Sequence, residues 1–509
     1  MRHKSKLFKT SLSKNMSLSL IARVITLVTG LIIQREILLA FGSVLNGLTS
    51  SISQVMSYLI LLEAGLGTAS IQALYAPLAN DDWDKVSGIL SATRIQYKRI
   101  AGVFIIILLA VSALLPFLII DEVDYGIAAL LTLVTGGSYV LSYIVGGKYK
   151  AILSSDRKLY VLYILEILSV TISCVFRVIA LRMGAGIVLV QLINLATVLI
   201  KNIGYVVYVK KRYKKIDHSA APDHNSTSKR KSVLVHSIAS VVVNHTDIII
   251  LTIFSTMSMV SVYNVYNLVF AQFATLFQST FGNALQGNLG RVYNKDKELF
   301  KKNFAFYEAA FTALLFLVSS IALIMILPFV ELYTRGVTDA NYIDPWLPPL
   351  FALVFLMNAV RIPTITAINV AGAFKETQKD ALAEAIINLV ISLALFFLGF
   401  GMYGLLIGTI VSYIYRTSTS IIYAYKHILK RKMLSLVKTV GANTALVVAL
   451  YILLVVVAPI TVSSWLEWIL DACLVSVICI AIFGAVNAIL NGKQTKQLLT
   501  RAKSLLKKH

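Results

Sequence analysis

The sequence has 509 residues, of which 58% are hydrophobic and only 14% are charged, and its formal net charge at pH 7 is +23. This composition excludes an ordinary soluble globular protein, in which about a quarter of the residues are charged. Such a positive charge would indicate nucleic acid in a soluble protein, but here the cations lie in short loops between apolar runs of about 20 residues, the length that spans a bilayer. We therefore predict an all-α polytopic membrane protein with no nucleic-acid partner.

About 14 apolar segments are predicted to be transmembrane helices. Most of the 47 Lys and Arg lie in loops on one side, which the positive-inside rule makes cytoplasmic, whereas the opposite loops carry Arg182 and Arg335. An even number of spans places both termini in the cytoplasm, and the basic N-terminus leads into a full span without a signal-peptide cleavage site. The spans cover roughly residues 16–41, 45–69, 99–120, 126–147, 159–181, 185–208, 233–255, 260–286, 303–329, 347–371, 380–400, 402–424, 439–459 and 466–490.

The longest polar loop, residues 210–231, is rich in charge and turn formers and is predicted to be a flexible linker. It divides the chain into an N-terminal six-helix bundle (1–208), a cytoplasmic linker (209–232) and a C-terminal six-helix bundle (233–424). Residues 425–509 add two transmembrane helices and a basic cytoplasmic tail.

The two halves carry matching landmarks. A shift of 215 residues aligns Gly67 with Gly282 and Leu74 with Leu289, and both segments end an even-numbered span and enter a charged cytoplasmic loop. Because six spans separate the copies, the halves have the same orientation. This predicts two pseudo-symmetric bundles related by a two-fold axis along the membrane normal, around a central cavity.

A charge at the centre of a span costs about 2.5–3.5 kcal/mol, so charged residues there usually face an interior or a water-filled cavity. The six intramembrane cations are Arg23, Arg35, Arg177, Lys201, Arg361 and Arg416, and the candidate acidic partners are Glu36, Glu63, Glu166, Asp247, Glu308 and Glu384.

Two interpretations apply to these residues. The first is a cationic cavity for an anionic headgroup, because the planar fork of arginine binds phosphate oxygens. Its predicted substrate-binding residues are Arg23, Arg35, Glu63, Arg177, Asp247 and Arg361. The second is ion pairing or snorkelling to the interface, which is favoured for residues near cytoplasmic ends. Those residues are Lys201, Glu308, Glu384 and Arg416. Arg177 fits either interpretation, and Glu166 could pair with Lys201 on the neighbouring span.

Other motifs bear on chemistry and packing. The three cysteines lie in apolar segments without metal-site spacing, and we expect free thiols. No phosphate-binding Gly-x-x-x-x-Gly-Lys-Ser/Thr loop occurs, and the longest external loop, 331–345, is too short for a catalytic domain. The sequence therefore predicts neither an enzyme nor a cofactor nor a metal site. The glycines from Gly401 to Gly408 predict close helix packing, and Pro116 and Pro363 are predicted to weaken their helices.

Several motifs, taken in order, resemble one family. They are Arg35, Phe41-Gly42, Asn46-Gly47-Leu48, Leu62-Glu63-Ala-Gly-Leu-Gly67, Leu74-Tyr-Ala-Pro77, Asp247-Ile-Ile-Ile, Val262-Tyr-Asn-Val-Tyr-Asn267, Gly287-Asn-Leu-Gly290, Glu384-Ala-Ile-Ile-Asn388 and Gly404-Leu-Leu-Ile-Gly408. Over about residues 16–425 the chain resembles the polysaccharide transport branch of the multidrug/oligosaccharidyl-lipid/polysaccharide exporter superfamily, which includes Wzx-like O-antigen and capsule flippases. Ala64 departs from the larger aliphatic residue that this family often has there.

The resemblance implies a bacterial flippase in the cell (plasma) membrane. It would export lipid-linked (polyprenyl-pyrophosphate) oligosaccharide repeat units by alternating access, for cell-surface polysaccharide biosynthesis. Its partners would be the lipid-linked oligosaccharide and membrane lipids, and coupling to Na⁺ or H⁺ stays open. The alternative is a multidrug-type cation-coupled exporter of the same superfamily, whose cavity should carry excess acid. A membrane glycosyltransferase is disfavoured by the short external loops, and a non-transporting scaffold would not need charges at the midplane.

Overall fold

The computed structural model describes residues 2–59, 63, 66–119, 122–217, 219–223, 231–490 and 492. All regular secondary structure in these ranges is helical, which confirms the predicted all-α class. The predicted basic tail, 493–509, lies outside the described residues.

The α-helices are named in chain order. The first nine are α1 (Arg2–Leu59), α2 (Leu66–Ala79), α3 (Trp83–Leu114), α4 (Tyr125–Leu141), α5 (Gly147–Ser155), α6 (Leu159–Arg182), α7 (Ile187–Arg212), α8 (Lys231–Phe254) and α9 (Met257–Phe277). They are followed by α10 (Ala284–Lys295), α11 (Lys297–Tyr333), α12 (Leu347–Val360), α13 (Ile362–Ala371), α14 (Gln378–Leu395), α15 (Gly401–Tyr423), α16 (Leu434–Tyr451) and α17 (Trp465–Leu490).

Eleven helices in the described part of the chain are long and apolar enough to cross a membrane, so the protein is a multi-pass membrane protein. Two of them, Ser17–Tyr58 and Gln378–Leu429, each run through two predicted spans. In both, the predicted boundary falls near a glycine with non-helical geometry, Gly42 (φ +77°) and Gly399 (φ +95°). The count of about 14 spans stays a prediction.

The chain forms two compact units, here called the first and second units. The first contains Met1–Asn264 with Gly336–Ala340, and the second contains Val265–Arg335 with Asn341–His509. The limit between them falls inside α9, and the division at 209–232 derived from the longest polar loop stays a prediction.

The first unit has a compact apolar cluster at the end that the sequence predicts to be cytoplasmic. It includes Leu74 of α2, Ile89 of α3 and Ile152 of α5, and also Tyr213 and Ile216, which follow α7. The backbone N–H of Asp217 donates to Ser87 and that of Asp223 donates to the carbonyl of Gly88. The beginning of the predicted flexible linker is therefore packed, because its two apolar side chains are buried and its backbone is hydrogen-bonded to the start of α3.

Two long helices, α3 and α11, each begin with an aspartate cap. The Asp82 carboxylate accepts from the backbone N–H of Lys85 at 3.1 Å at the start of α3, and this hydrogen bond holds the pKa of Asp82 below its usual value. Asp296 accepts from Glu298 and Leu299 at 2.9 and 3.0 Å at the start of α11. Such caps each stabilise a helix by about 1 kcal/mol.

In the second unit, close packing of α14 on α15 confirms the prediction made from the glycine series. A Cβ on Gly408 would lie 2.6 Å from the backbone nitrogen of Ser392, and one on Gly404 would lie 2.9 Å from the carbonyl carbon of Leu395. Only glycine allows this approach of two backbones.

The last two helices, α16 and α17, both pack on α11. They are joined to each other by Asn443 and Asn487, whose buried side-chain amides donate reciprocally at 3.2 and 2.8 Å. A paired amide satisfies polar groups that would be costly to leave unpaired in hydrocarbon.

Candidate functional site

Five of the six predicted substrate-binding residues lie in the first unit, and Arg361 lies in the second. Arg23 and Arg35 are on α1, where Arg23 is exposed and Arg35 is partly buried. Among the ion pairs of the described residues, none involves Arg23.

Arg177 is the most deeply buried cation of the predicted set. It lies on α6, which packs on α1, and only 8% of its surface is exposed. Its Nε has no hydrogen-bond partner, and the ion pairs that the structure describes do not include it. A buried cation without a counter-charge is costly, so it is a position where an anion gains much by binding.

Its neighbour Arg182, five residues further along α6, has a different environment. The Arg182 side chain is 72% exposed and pairs with Glu36 of α1 at 3.1 Å. The two arginines therefore differ in both burial and pairing, although they share one helix.

Glu63 accepts a hydrogen bond from the Tyr97 hydroxyl at 2.7 Å, and Tyr143 lies close to the same carboxylate. Nearby, Lys201 of α7 and Glu166 of α6 form an ion pair at 2.8 Å, which confirms that predicted pairing. These groups, together with Lys150, whose ammonium both acids attract, form a polar cluster inside the first unit in which acids and cations balance.

Asp247 is 5% exposed on α8 and accepts from the Tyr263 hydroxyl of α9 at 2.9 Å. Around it, α1 meets α8 and α9 through short hydrogen bonds between uncharged side chains. They join Tyr58 to Thr246 (2.6 Å), Ser51 to Thr252 (2.6 Å), Asn46 to Ser261 (2.6 Å) and Asn264 to Ser50 (2.8 Å).

Arg361 occupies the break between α12 and α13, which the following Pro363 favours because proline cannot donate to the preceding helical turn. Its guanidinium pairs with Glu384 of α14, donates to Asn358 at 3.0 Å and lies 4.7 Å from the ring centre of Tyr413. Glu384 also lies 3.6 Å from Nε of Arg416. For Arg361 this geometry matches the interpretation of structural ion pairing, because its charge is paired with Glu384 and both of its terminal nitrogens donate hydrogen bonds.

Several contributors to these clusters were missed in the sequence. Tyr97, Tyr143 and Tyr263 each lie against a predicted acid, but tyrosine is common in this chain and no spacing marked these three. The pairing of Arg361 with Glu384 was also missed, although both charges were recognised, because 23 residues and a helix break separate them.

Arg177 is thus a buried cation outside the ion pairs that the structure describes, and uncharged hydrogen-bonding groups lie along α1, α8 and α9. In the described part of the chain, no group of three or more His, Cys, Asp or Glu residues could hold a metal ion.

No family model and no curated protein sequence matches the chain. Solved structures do match. Lipid II flippase MurJ in an inward closed conformation shares 15% identity over 93% of this chain and 98% of its own, with a TM-score of 0.65. An inward-facing multidrug resistance MATE family transporter of the MOP superfamily shares 14% sequence identity over 86% of this chain and 98% of its own, with a TM-score of 0.56. The eukaryotic MATE transporter AtDTX14 shares 14% identity over 86% of this chain and 99% of its own, also with a TM-score of 0.56. These likenesses show that the chain has the fold of these transporters.

Proposed function

We propose that this protein is a flippase that exports lipid-linked oligosaccharide repeat units, carried on polyprenyl pyrophosphate, across the cell membrane by alternating access. The proposal rests on one observation above the others. In a fold that it shares over nearly its full length with a lipid II flippase, the chain carries a buried arginine, Arg177, without an ion pair.

The chemistry of a pyrophosphate suits this position. Its oxygens accept charge-assisted hydrogen bonds from a guanidinium, and these are about twice as strong as bonds between neutral groups. Arg23 and Arg35 on α1 are assigned to the same binding surface, with Glu63 and Asp247 as polar partners. The lipid tail would stay in the bilayer while the headgroup crosses. An inside-negative potential of 100 mV would assist the export of an anion by about 2.3 kcal/mol per unit charge.

The alternative is a multidrug-type exporter of organic cations, which the likeness to MATE transporters keeps open. A cation exporter needs acids that remain available to its substrate. Here four of the six candidate acidic partners, Glu36, Glu166, Glu308 and Glu384, are already ion-paired. The remaining two, Glu63 and Asp247, accept from tyrosines. This balance favours an anionic substrate.

The test is transport by the purified protein in proteoliposomes. A fluorescent lipid-linked oligosaccharide with a pyrophosphate is placed in both leaflets, and its accessibility to an impermeant reagent is followed over time. We expect the wild-type protein to accelerate translocation. We expect Arg177→Gln to slow it about tenfold or more, because hydrogen bonds to charged groups contribute about 1.5–3 kcal/mol.

The matched control is Arg182→Gln, on the same helix but exposed and paired with Glu36. It should transport at close to the wild-type rate. Transport of an organic cation with no movement of the lipid-linked oligosaccharide would support the alternative. Equal rates for Arg177→Gln and the wild type would remove Arg177 from the binding site.

A further inference from the structure

Four cations from three helices of the first unit converge at the end that the sequence predicts to be cytoplasmic. Arg94 and Lys98 lie one turn apart on one face of α3, Lys148 is the second residue of α5 and Lys210 is in the last turn of α7. Arg94, Lys98 and Lys210 are the charged neighbours that act electrostatically on the Lys148 ammonium. We call these four residues the basic cluster.

The charge of the basic cluster is not neutralised by the protein. None of the four takes part in an ion pair among the described residues. The acidic side chains Glu63 and Glu166 act on Lys150. They are already hydrogen-bonded to Tyr97 and Lys201. The cluster therefore lies beside a group in which two acids offset two lysines, whereas its own four positive charges have no ion-pair partner among the described residues.

The position of Lys148 is fixed by close packing on both sides of α5. A Cβ on Gly147 would lie 2.8 Å from the ring of Tyr97 on α3, and one on Gly146 would lie 2.0 Å from the amide oxygen of Asn202 on α7. The backbone just before Lys148 is thus held between α3 and α7. Its partly buried ammonium lies 4.9 Å from the ring centre of Tyr149, a cation–π contact.

The positive-inside rule explains why cations are numerous at this end of the unit, but it does not explain why these four are near enough to interact electrostatically. Arg94, Lys98 and Lys210 repel the Lys148 ammonium, and spreading the four charges over the surface would avoid that cost. A bound anion removes it. Arginine supplies a planar fork for phosphate oxygens and lysine a point charge, and each cation near an anionic membrane surface gains about 1 kcal/mol.

We propose that the basic cluster is a binding site for the phosphate group of an anionic lipid headgroup. It is separate from Arg177 and does not depend on the proposed transport function. Phosphate chemistry alone would also allow free inorganic phosphate. We assign the lipid because the cluster lies at the ends of helices that span the bilayer, where headgroups are concentrated.

The experiment measures binding of phosphatidic acid to the purified full-length protein in a neutral detergent, by native mass spectrometry, with phosphatidylcholine as the zwitterionic reference. The cluster variant carries Arg94→Gln, Lys98→Gln, Lys148→Gln and Lys210→Gln. The matched control carries four substitutions of exposed cations at the same end, Arg99→Gln, Lys211→Gln, Lys214→Gln and Lys215→Gln. Both variants lose the same net charge, and both are checked for an unchanged melting temperature.

We expect the cluster variant to bind phosphatidic acid at least about tenfold more weakly than the wild type, and the control variant to bind it as the wild type does. Lys148→Arg alone should retain binding because it keeps the charge. An equal loss in both quadruple variants would overturn the proposal, since it would show a diffuse basic surface. Cluster-dependent binding of inorganic phosphate without binding of phosphatidic acid would overturn the assignment to a lipid. If the cluster variant has a lowered melting temperature, binding of phosphatidic acid is instead compared between the single variants Lys148→Gln and Lys211→Gln. Weaker binding by Lys148→Gln alone would then support the proposal, and equal binding by the two would overturn it.

Discussion

The side-chain amide of Asn46 donates to the hydroxyl of Ser261 at 2.6 Å, and the two residues are 215 positions apart. This is the same shift that aligns the sequence landmarks of the two halves. Under a two-fold axis, a residue can contact its own counterpart only if both lie beside the axis. The predicted axis along the membrane normal would accordingly pass between α1 and α9 at this hydrogen bond.

If alternating access moves the predicted halves (1–208 and 233–424) apart at this contact, α1 and α9 separate at Asn46 and Ser261 during the cycle. We expect a protein with Asn46→Cys and Ser261→Cys, in a background without the three native cysteines, to lose lipid-linked oligosaccharide transport when treated with a short thiol cross-linker. Cleaving a reducible linker should restore it. Flipping rates before and after each treatment measure the effect.

The control for this cross-link is Asn443→Cys with Asn487→Cys, at the reciprocal amide pair of α16 and α17. It should cross-link equally well and leave transport unchanged. Full transport by the cross-linked Asn46/Ser261 protein would mean that this contact stays closed throughout the cycle.

Gly42 is expected to be intolerant of any side chain. Its φ is +77° with ψ −175°, a region that is essentially restricted to glycine, and a Cβ would lie 2.5 Å from Oδ2 of Asp339. That carboxylate accepts from the backbone N–H and the hydroxyl of Ser43 at 2.7 and 2.6 Å, and so caps the second part of α1. Gly42→Ala should lower the free energy of unfolding by about 1–3 kcal/mol.

Thermal unfolding can be followed with a thiol-reactive dye, because Cys174 and Cys479 are buried in the folded protein. Gly30→Ala is the control on the same helix, since a Cβ there would meet nothing within 4 Å. Its stability should stay within about 1 kcal/mol of the wild type. Equal melting temperatures for the two variants would contradict the role assigned to Gly42.

Gly408→Ala should separate α14 from α15. The new methyl group would lie 2.6 and 2.8 Å from backbone atoms of Ser392, which cannot move without shifting the helix. Overpacking of this kind costs about 1–3 kcal/mol. Gly441→Ala on α16, with nothing within 4 Å of the added Cβ, is the comparison. A melting temperature for Gly408→Ala as high as that of Gly441→Ala would show that α14 can shift away from the added methyl group at little cost in stability.

Glu384→Gln is expected to be more destabilising than Arg361→Gln. Removing the acid leaves Arg361 and Arg416 without the charge between them, and breaking a buried pair in this way costs about 3–5 kcal/mol. Removing Arg361 leaves Glu384 with Arg416 at 3.6 Å. The double variant should be more stable than Glu384→Gln alone, which a double-mutant cycle of unfolding free energies will test. Additive effects would show that the charges act independently.

The sequence predicted the elements that depend on local chemistry. Apolar runs located the helices, the boundaries between predicted spans in two long helices fell near Gly42 and Gly399, and Pro363 marked the break at Arg361. These signals are local because they follow from backbone sterics and from the cost of exposing peptide groups to lipid.

The partners of the intramembrane charges could be predicted only in part. Glu166 and Lys201 lie on consecutive spans at similar depth, and their pairing was recognised. Glu308 instead pairs with Arg431, 123 residues away, and Tyr97 of α3 donates to Glu63, 34 residues earlier and before α2. Such choices depend on how helices rotate and tilt against each other, which side-chain packing decides and composition does not encode.

The pairing of Arg361 with Glu384 also constrains how the chain enters the membrane. Arg361 is made 23 residues before its counter-charge, so it first meets the bilayer as an isolated cation. Only when α14 follows can the two charges neutralise each other between the helices. We therefore expect the segment from α12 to α14 to insert into the membrane as one unit. In a nascent chain that ends before Glu384, Arg361 would lack its counter-charge and its insertion would be unfavourable.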